Sequence, residues 1–150
     1  MRVALVAPLL ASLLCAQEGS QETYGHSRHG ATFDEGPRSA AYLMPGMGDA
    51  VHFPVEGVSE LGQKFFDQGI TQQHGFWHFE AERSFRQVAK LHPECAMAYW
   101  GMCRANDDVA ERAAGFIANA VARSKDSSAR EQLQARREAS KRTQRLGIIR

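Results

Sequence analysis

Cross-linking is the first thing this sequence lacks. Its 150 residues hold three cysteines, Cys15, Cys95 and Cys103, and no two have the spacing of a zinc pair or a haem-attachment motif. A phosphate-cradling glycine loop and a nucleophile elbow are missing too. Charge of one sign is lacking as well. With 18 basic and 17 acidic residues the net charge is +1, which argues against general nucleic-acid binding, since that needs positive charge in excess to meet the phosphates. Long apolar runs are absent apart from Val3–Leu14, too short for a membrane span. Proline is scarce and, past Pro54, recurs only at Pro93. What remains, 43% apolar and 23% charged residues, suits one soluble domain standing on packing.

The start of the chain reads as a leader. Arg2 precedes the apolar run, and Ala16 precedes polar QEGSQE, the anatomy of a secretory signal peptide with cleavage expected after Ala16. An exported, periplasmic or secreted protein is therefore expected. A lipid anchor at Cys15 is the alternative, and the only expected route to a membrane, but Leu14 is larger than the residue such sites carry there. Without residues 1–16 the chain would hold 17 basic and 17 acidic residues, because only Arg2 is lost.

Residues 17–57 read as an irregular lead-in, expected to add little core. Gly25, Gly30, Gly36, Gly46, Gly48 and Gly57, with Pro37, Pro45 and Pro54, punctuate it too often for a long helix. Val51–Val55 is its one candidate for a strand or extended stretch. From Ser59 the texture turns helical. Ser59 is a good N-cap, and Leu61, Phe65, Phe66 and Ile70 recur at helical spacing. Gly75 is expected to close this helix in the left-handed conformation. A second helix carries Ala81, Phe85, Val88 and Ala89 on one face, and Pro93 is expected in the first turn of a third with Ala96, Tyr99, Trp100 and Cys103. Asp108-Val109-Ala110-Glu111 predicts a capping box for a fourth helix, striped by Phe116, Ile117 and Val121, and Ser128 opens a charged fifth. The fourth helix's stripe is expected to want a neighbour, and hence self-association. Cys95 and Cys103 on one helix would stand about 12 Å apart along its axis, too far for a disulfide, so free thiols are expected.

The fold class expected is all-α, a short solenoid of helical hairpins over residues 58–126 with a charged helix or tail at 127–150. Between Leu61 and Gly101 the chain resembles a tetratricopeptide repeat, with Phe65, Gly69, Ala81, Phe85 and Pro93 at the spacings of its bulky, small, small, aromatic and closing positions. Gln68 and Gln72 depart from the leucine and tyrosine of that pattern. The run EAERSFRQVAKLHPECAMAYWG is similar to exported bacterial proteins of the family. After Asn106 the likeness weakens, and Cys103 takes the close-packing glycine's place. The resemblance implies a non-catalytic scaffold whose groove, lined from the first helix of each pair, maps onto Gln63, Phe66, Ile70, Gln73 and His74 and takes a protein or peptide partner. These residues lack the Lys and Asn set with which some relatives clamp a terminal carboxylate.

Rival chemistries are thin. His74 and His78 stand four apart, the spacing of a helical metal pair, but Gly75 between them is expected to break the helix and separate their faces. Asp107 and Asp108 read as caps, and Trp77 and Trp100 as packing and turn residues rather than sugar platforms. No cofactor or catalytic residue is expected. The alternative function is periplasmic metal handling by Met44, Met47 and His52, with His26 and His29, since thioether and imidazole suit copper.

Overall fold

A computed structural model describes residues 41–145 and Gly147. The expected leader with Cys15, the lead-in as far as residue 40, and His26 and His29 lie outside them. Among the described residues the chain is all-α. Its helices are α1 (Glu60–His74), α2 (His78–Leu91), α3 (Ala96–Arg104), α4 (Ala110–Arg123) and α5 (Ala129–Arg145), with a 3₁₀ turn at Ser124–Asp126. No strand forms among them, and Val51–Val55 is irregular backbone. None of these helices is long and apolar enough to cross a membrane.

Ser59 caps α1, its Oγ accepting from the Gly62 N–H at 3.2 Å, which satisfies one of the free amides of a helix start. The other end differs from expectation. Gly75 sits at φ −80°, and the left-handed residue is Phe76 at φ 63°. The reversal is closed by backbone bonds from Phe76 N–H to Gln73 O and from Trp77 N–H to Gln72 O, at 3.1 and 2.8 Å. Leu61, expected on the inner face, is 46% exposed.

The α1–α2 hairpin meets α3 across a single ring. Phe85 is wholly buried, and a Cβ added at Gly69 or Gly101 would stand 2.7 or 2.5 Å from it. Two glycines on two helices therefore make the slot that an aromatic on a third fills. Ala81, also fully buried, keeps a small side chain on the same helix as Phe85. Pro93 lies ahead of α3 rather than in its first turn, in a bend closed by Cys95 N–H to His92 O at 3.0 Å.

The second hairpin, α3–α4, is capped differently from expectation. Val109 occupies the N-cap of α4 with no side-chain bond, while Asp107 pairs instead with Arg142 and Arg145 of α5. α5 packs on both α3 and α4. Phe116 and Ile117 are buried within the chain and Val121 packs against the core, so the stripe expected to need a second molecule is covered in this one. α5 manages this despite its charge by burying Ala135 together with Glu131, Glu138 and Arg142. Arg142 donates to Glu138 at 3.2 Å and to the Cys103 carbonyl at 3.2 Å.

The lead-in also contributes more than expected. Ala41 and Val55 are buried, and Val51 and Phe53 pack on the core.

Candidate functional site: an irregular segment on three helices

Residues 51–55, which lack regular secondary structure, and Glu56, where a turn begins, lie over side chains from α1, α3 and α5. Alternate residues point inward. Phe53 is half-buried and Val55 buried, while His52, Pro54 and Glu56 are exposed. The Phe53 ring lies 5.6 Å from Phe66 of α1 and stacks at 5.8 Å on Trp100 of α3. The Arg130 guanidinium of α5 lies 5.4 Å from its centre, within cation–π range.

The Val51 N–H donates to the Gly48 carbonyl at 3.1 Å, and from Phe53 onward side chains of the helices meet the segment's main-chain groups. Phe53 N–H donates to Asp67 Oδ1 at 2.9 Å, and its carbonyl accepts from Gln63 Nε2 at 2.8 Å. Val55 N–H donates to Gln63 Oε1 at 2.9 Å, so one amide grips the chain through both of its ends. Glu56 N–H donates to Glu131 Oε1 at 3.0 Å, and the Pro54 carbonyl accepts from Arg130. Gln63 also donates to Asp67 at 2.9 Å, locking the two grips together.

A second grip holds residues 42–44. Gln68 accepts from Met44 N–H at 2.7 Å and donates to the Tyr42 carbonyl at 3.0 Å. Behind it runs a buried chain in which Gln68 Nε2 donates to Ser84 Oγ at 3.0 Å and Ser84 Oγ donates to Gln72 Oε1 at 2.7 Å. Gln68 and Gln72 are 1% and 2% exposed. The two departures from the repeat pattern are thus a matched polar pair, satisfied as buried amides must be. Gly48 lets the intervening loop rest on α1. At φ +94° its Cβ position is 2.9 Å from the Gln68 backbone nitrogen, a place and conformation open to glycine alone.

Of the five residues expected to line a groove, Gln63 grips the segment, Phe66 is buried beneath Phe53, and Ile70 is buried in the core. Gln73 is half-buried and His74 exposed at the end of α1, away from these contacts. His78 is the first residue of α2, on the far side of the turn from His74. Trp77 is 53% exposed in that turn, whereas Trp100 stacks on Phe53. Among the described residues no group of three or more His, Cys, Asp and Glu side chains is placed to hold a metal ion. Sequence reasoning missed Asp67, Arg130 and Glu131. Asp67 and Gln63 are four apart on one helical face, a signal that was present. Arg130 and Glu131 lie some seventy-five residues from their partners, and no local pattern points to them.

Between the loop at 43–49 and α1 lies a cleft of about 400 Å³, lined by Met44, Met47, Asp49, His52 and Asp67 among others. His52 Nδ1 meets Asp67 Oδ2 at 3.1 Å. Comparison with family models, with curated proteins and with solved structures finds no match for this chain.

Proposed function

We propose that the chain is a non-catalytic, exported scaffold of the tetratricopeptide-repeat type, whose stacked hairpins present one face to an extended peptide or protein segment. The observation that carries this reading is the convergence of α1, α3 and α5 on one stretch without regular secondary structure, held by its main chain. Peptide recognition works this way: main-chain bonds supply affinity and alternate side-chain pockets supply selectivity. The Phe85 ring packed against Gly69 of one hairpin and Gly101 of the next agrees with it. The test is to pan a displayed peptide library on the folded chain. Enrichment of extended sequences that Gln63→Ala and Asp67→Asn no longer retain is expected. A pool no richer than one panned on an unrelated helical bundle would overturn the reading.

A second reading, metal handling, has one observation behind it. Met44, Met47 and His52 line the same cleft, and Asp67 holds one nitrogen of His52, the carboxylate–histidine arrangement that orients a metal-binding imidazole. Thioether with imidazole favours Cu(I). Titrating the chain with Cu(I) against a coloured chelator should show one-to-one uptake that Met47→Ala and His52→Ala abolish. Indifference to both substitutions would remove this reading.

A further inference from the structure

We propose that residues 51–56, VHFPVE, are a resident and displaceable occupant of the scaffold's binding face. The external ligand is an extended peptide bearing an aromatic residue, then proline, then an aliphatic residue. The proposal rests on the scaffold reading and names both the ligand class of that site and the device that closes it.

Each position of the segment supplies part of the specification. The Phe53 pocket has two aromatic walls and a guanidinium beside it, and it takes a flat ring. Two residues on, Val55 is 8% exposed and fills an aliphatic position. The residue between them points outward, and only its carbonyl is bonded, to Arg130. A proline there gives up no hydrogen bond and holds an extended φ in advance, which lowers the ordering cost of binding. Beyond the aliphatic position the Glu131 carboxylate receives the next amide. A ligand therefore needs a free N–H there, and a second proline at that point would be rejected.

The boundaries of the segment mark it as separable. Gly57 follows it directly at φ +70°, with open space where a Cβ would be, a position suited to absorb a change of backbone direction. On the other side Gly48 packs on α1 and its carbonyl holds the Val51 N–H at 3.1 Å, so release begins at Val51. The second grip, Gln68 on Tyr42 and Met44, lies outside the segment and would hold the chain nearby after release. A tethered occupant of this kind lowers the apparent affinity of any competitor in proportion to the time it sits in place.

The experiment uses the full chain and a fluorescent synthetic peptide, AVHFPVEGV, read by anisotropy. Phe53→Ala weakens the resident segment without touching the receiving side chains. This variant should bind the peptide at least about tenfold more tightly than the wild type, the factor expected where the segment is in place about nine-tenths of the time. Adding Gln63→Ala should remove the gain, and a peptide with phenylalanine and proline exchanged should bind neither form. A folded Phe53→Ala chain that binds no better than the wild type would overturn the proposal and make the segment a permanent part of the core. Sedimentation showing the variant as a dimer exchanging its segments would also overturn it, in favour of a second copy as ligand. Should Phe53→Ala fail to fold, amide exchange on the wild type decides. The Phe53, Val55 and Glu56 amides should exchange through a local opening at least about 100-fold more readily than the core of α1, and equal protection would overturn the proposal. Library peptides that bind wild type and Phe53→Ala equally would defeat the resident-occupant proposal while leaving the scaffold reading intact. No peptide bound by any variant would defeat both.

Discussion

Phe85 and Glu82 stand one turn apart on α2 and organise two seams of opposite chemistry. Phe85 closes the seam with α1 and α3 by shape alone, its ring filling a slot made by two missing side chains, Gly69 and Gly101. Glu82 closes the seam with α4 by charge. Its carboxylate accepts from Arg112 at 2.6 Å, from Arg86 at 2.7 Å and from Asn106 at 2.8 Å, with the Glu82 and Arg112 side chains 2% and 3% exposed. The first seam stabilises through apolar area removed from water. The second roughly offsets the desolvation of its ions, so its net contribution is small while the loss of either partner is costly. Burial is equally complete in both, and the consequences of damage are not.

The largest effect is expected at the apolar seam. Phe85→Ala leaves a cavity bounded on two sides by backbone at Gly69 and Gly101, which have no side chains to lean in, with the Phe66 ring 5.3 Å from the lost one as the aromatic neighbour. Poor collapse puts the cost at the upper part of the range for such truncations, about 3–5 kcal/mol. Urea unfolding followed by circular dichroism measures it. A loss below about 1 kcal/mol, within the scatter of ordinary surface changes, would show that the ring does not bridge the helices.

Arg112→Met separates the seams in kind. Alone it leaves the buried Glu82 carboxylate to Arg86 and Asn106 and should cost up to about 3 kcal/mol, whereas Glu82→Leu with Arg112→Met should recover most of that. A double-mutant cycle gives the coupling, and simple additivity of the two changes would sink the account of the charged seam. No such recovery is available to Phe85→Ala, because no second truncation refills its cavity.

These two seams were unequally legible from sequence. Phe65, Gly69, Ala81 and Phe85 lie at fixed local spacings, and the helical periodicity that marks them also packs them. Gly101 falls two residues before the position that the repeat period reserves for a small residue, where Cys103 stands instead, so its role appeared only with the Phe85 ring in place. Polar pairs were opaque. Gln68 and Gln72 looked like defects in an apolar pattern until Ser84 and the Met44 amide were seen to meet them. Glu82 and Arg112 are thirty residues apart, and nothing local distinguishes a buried pair from two solvated charges. For the same reason α5 read only as a charged helix or tail, although Glu131 and Arg142 turn inward to the Glu56 amide, the Cys103 carbonyl and Asp107 while Arg136, Arg137 and Lys141 stay exposed. The proposed binding face was half visible: Gln63 and Phe66 are the residues the repeat resemblance implies, but the segment that covers them comes from the region expected to add little.

A smaller effect tests how far the apolar logic extends along α2. Ala81 precedes Glu82 and is fully buried. Ala81→Leu forces extra volume into a filled contact and should cost about 1–3 kcal/mol, seen as a melting temperature lower by several degrees. An unchanged melt would remove the main support for tight helix packing at the small position of the repeat pattern.

The smallest effect lies where the two chemistries touch. Cys103 belongs to the apolar core, yet Arg142, Glu138 and Asp107 surround it. Burial pushes its thiol up from 9.0 to about 12, with Arg142 pulling the other way and Glu138 reinforcing the rise. Burial likewise raises Cys95. Neither forms a disulfide. An unfolded thiol sheds its proton near pH 9, while the folded one keeps it until about pH 12. Between those values the unfolded chain binds fewer protons, so stability is intact below pH 9 and falls as pH rises toward 12. The slope contributed by Cys103 is at most about 1.4 kcal/mol per pH unit. Urea midpoints at pH 8 and pH 10.5 should therefore differ, and Cys103→Ala should reduce the difference. In the native state at pH 8 a disulfide reagent should label Cys103 slowly, with both thiols reacting promptly in denaturant. Rapid native labelling of Cys103 would mean that Arg142 outweighs burial and stabilises the thiolate, which would place Cys103 with the charged seam instead of the apolar one.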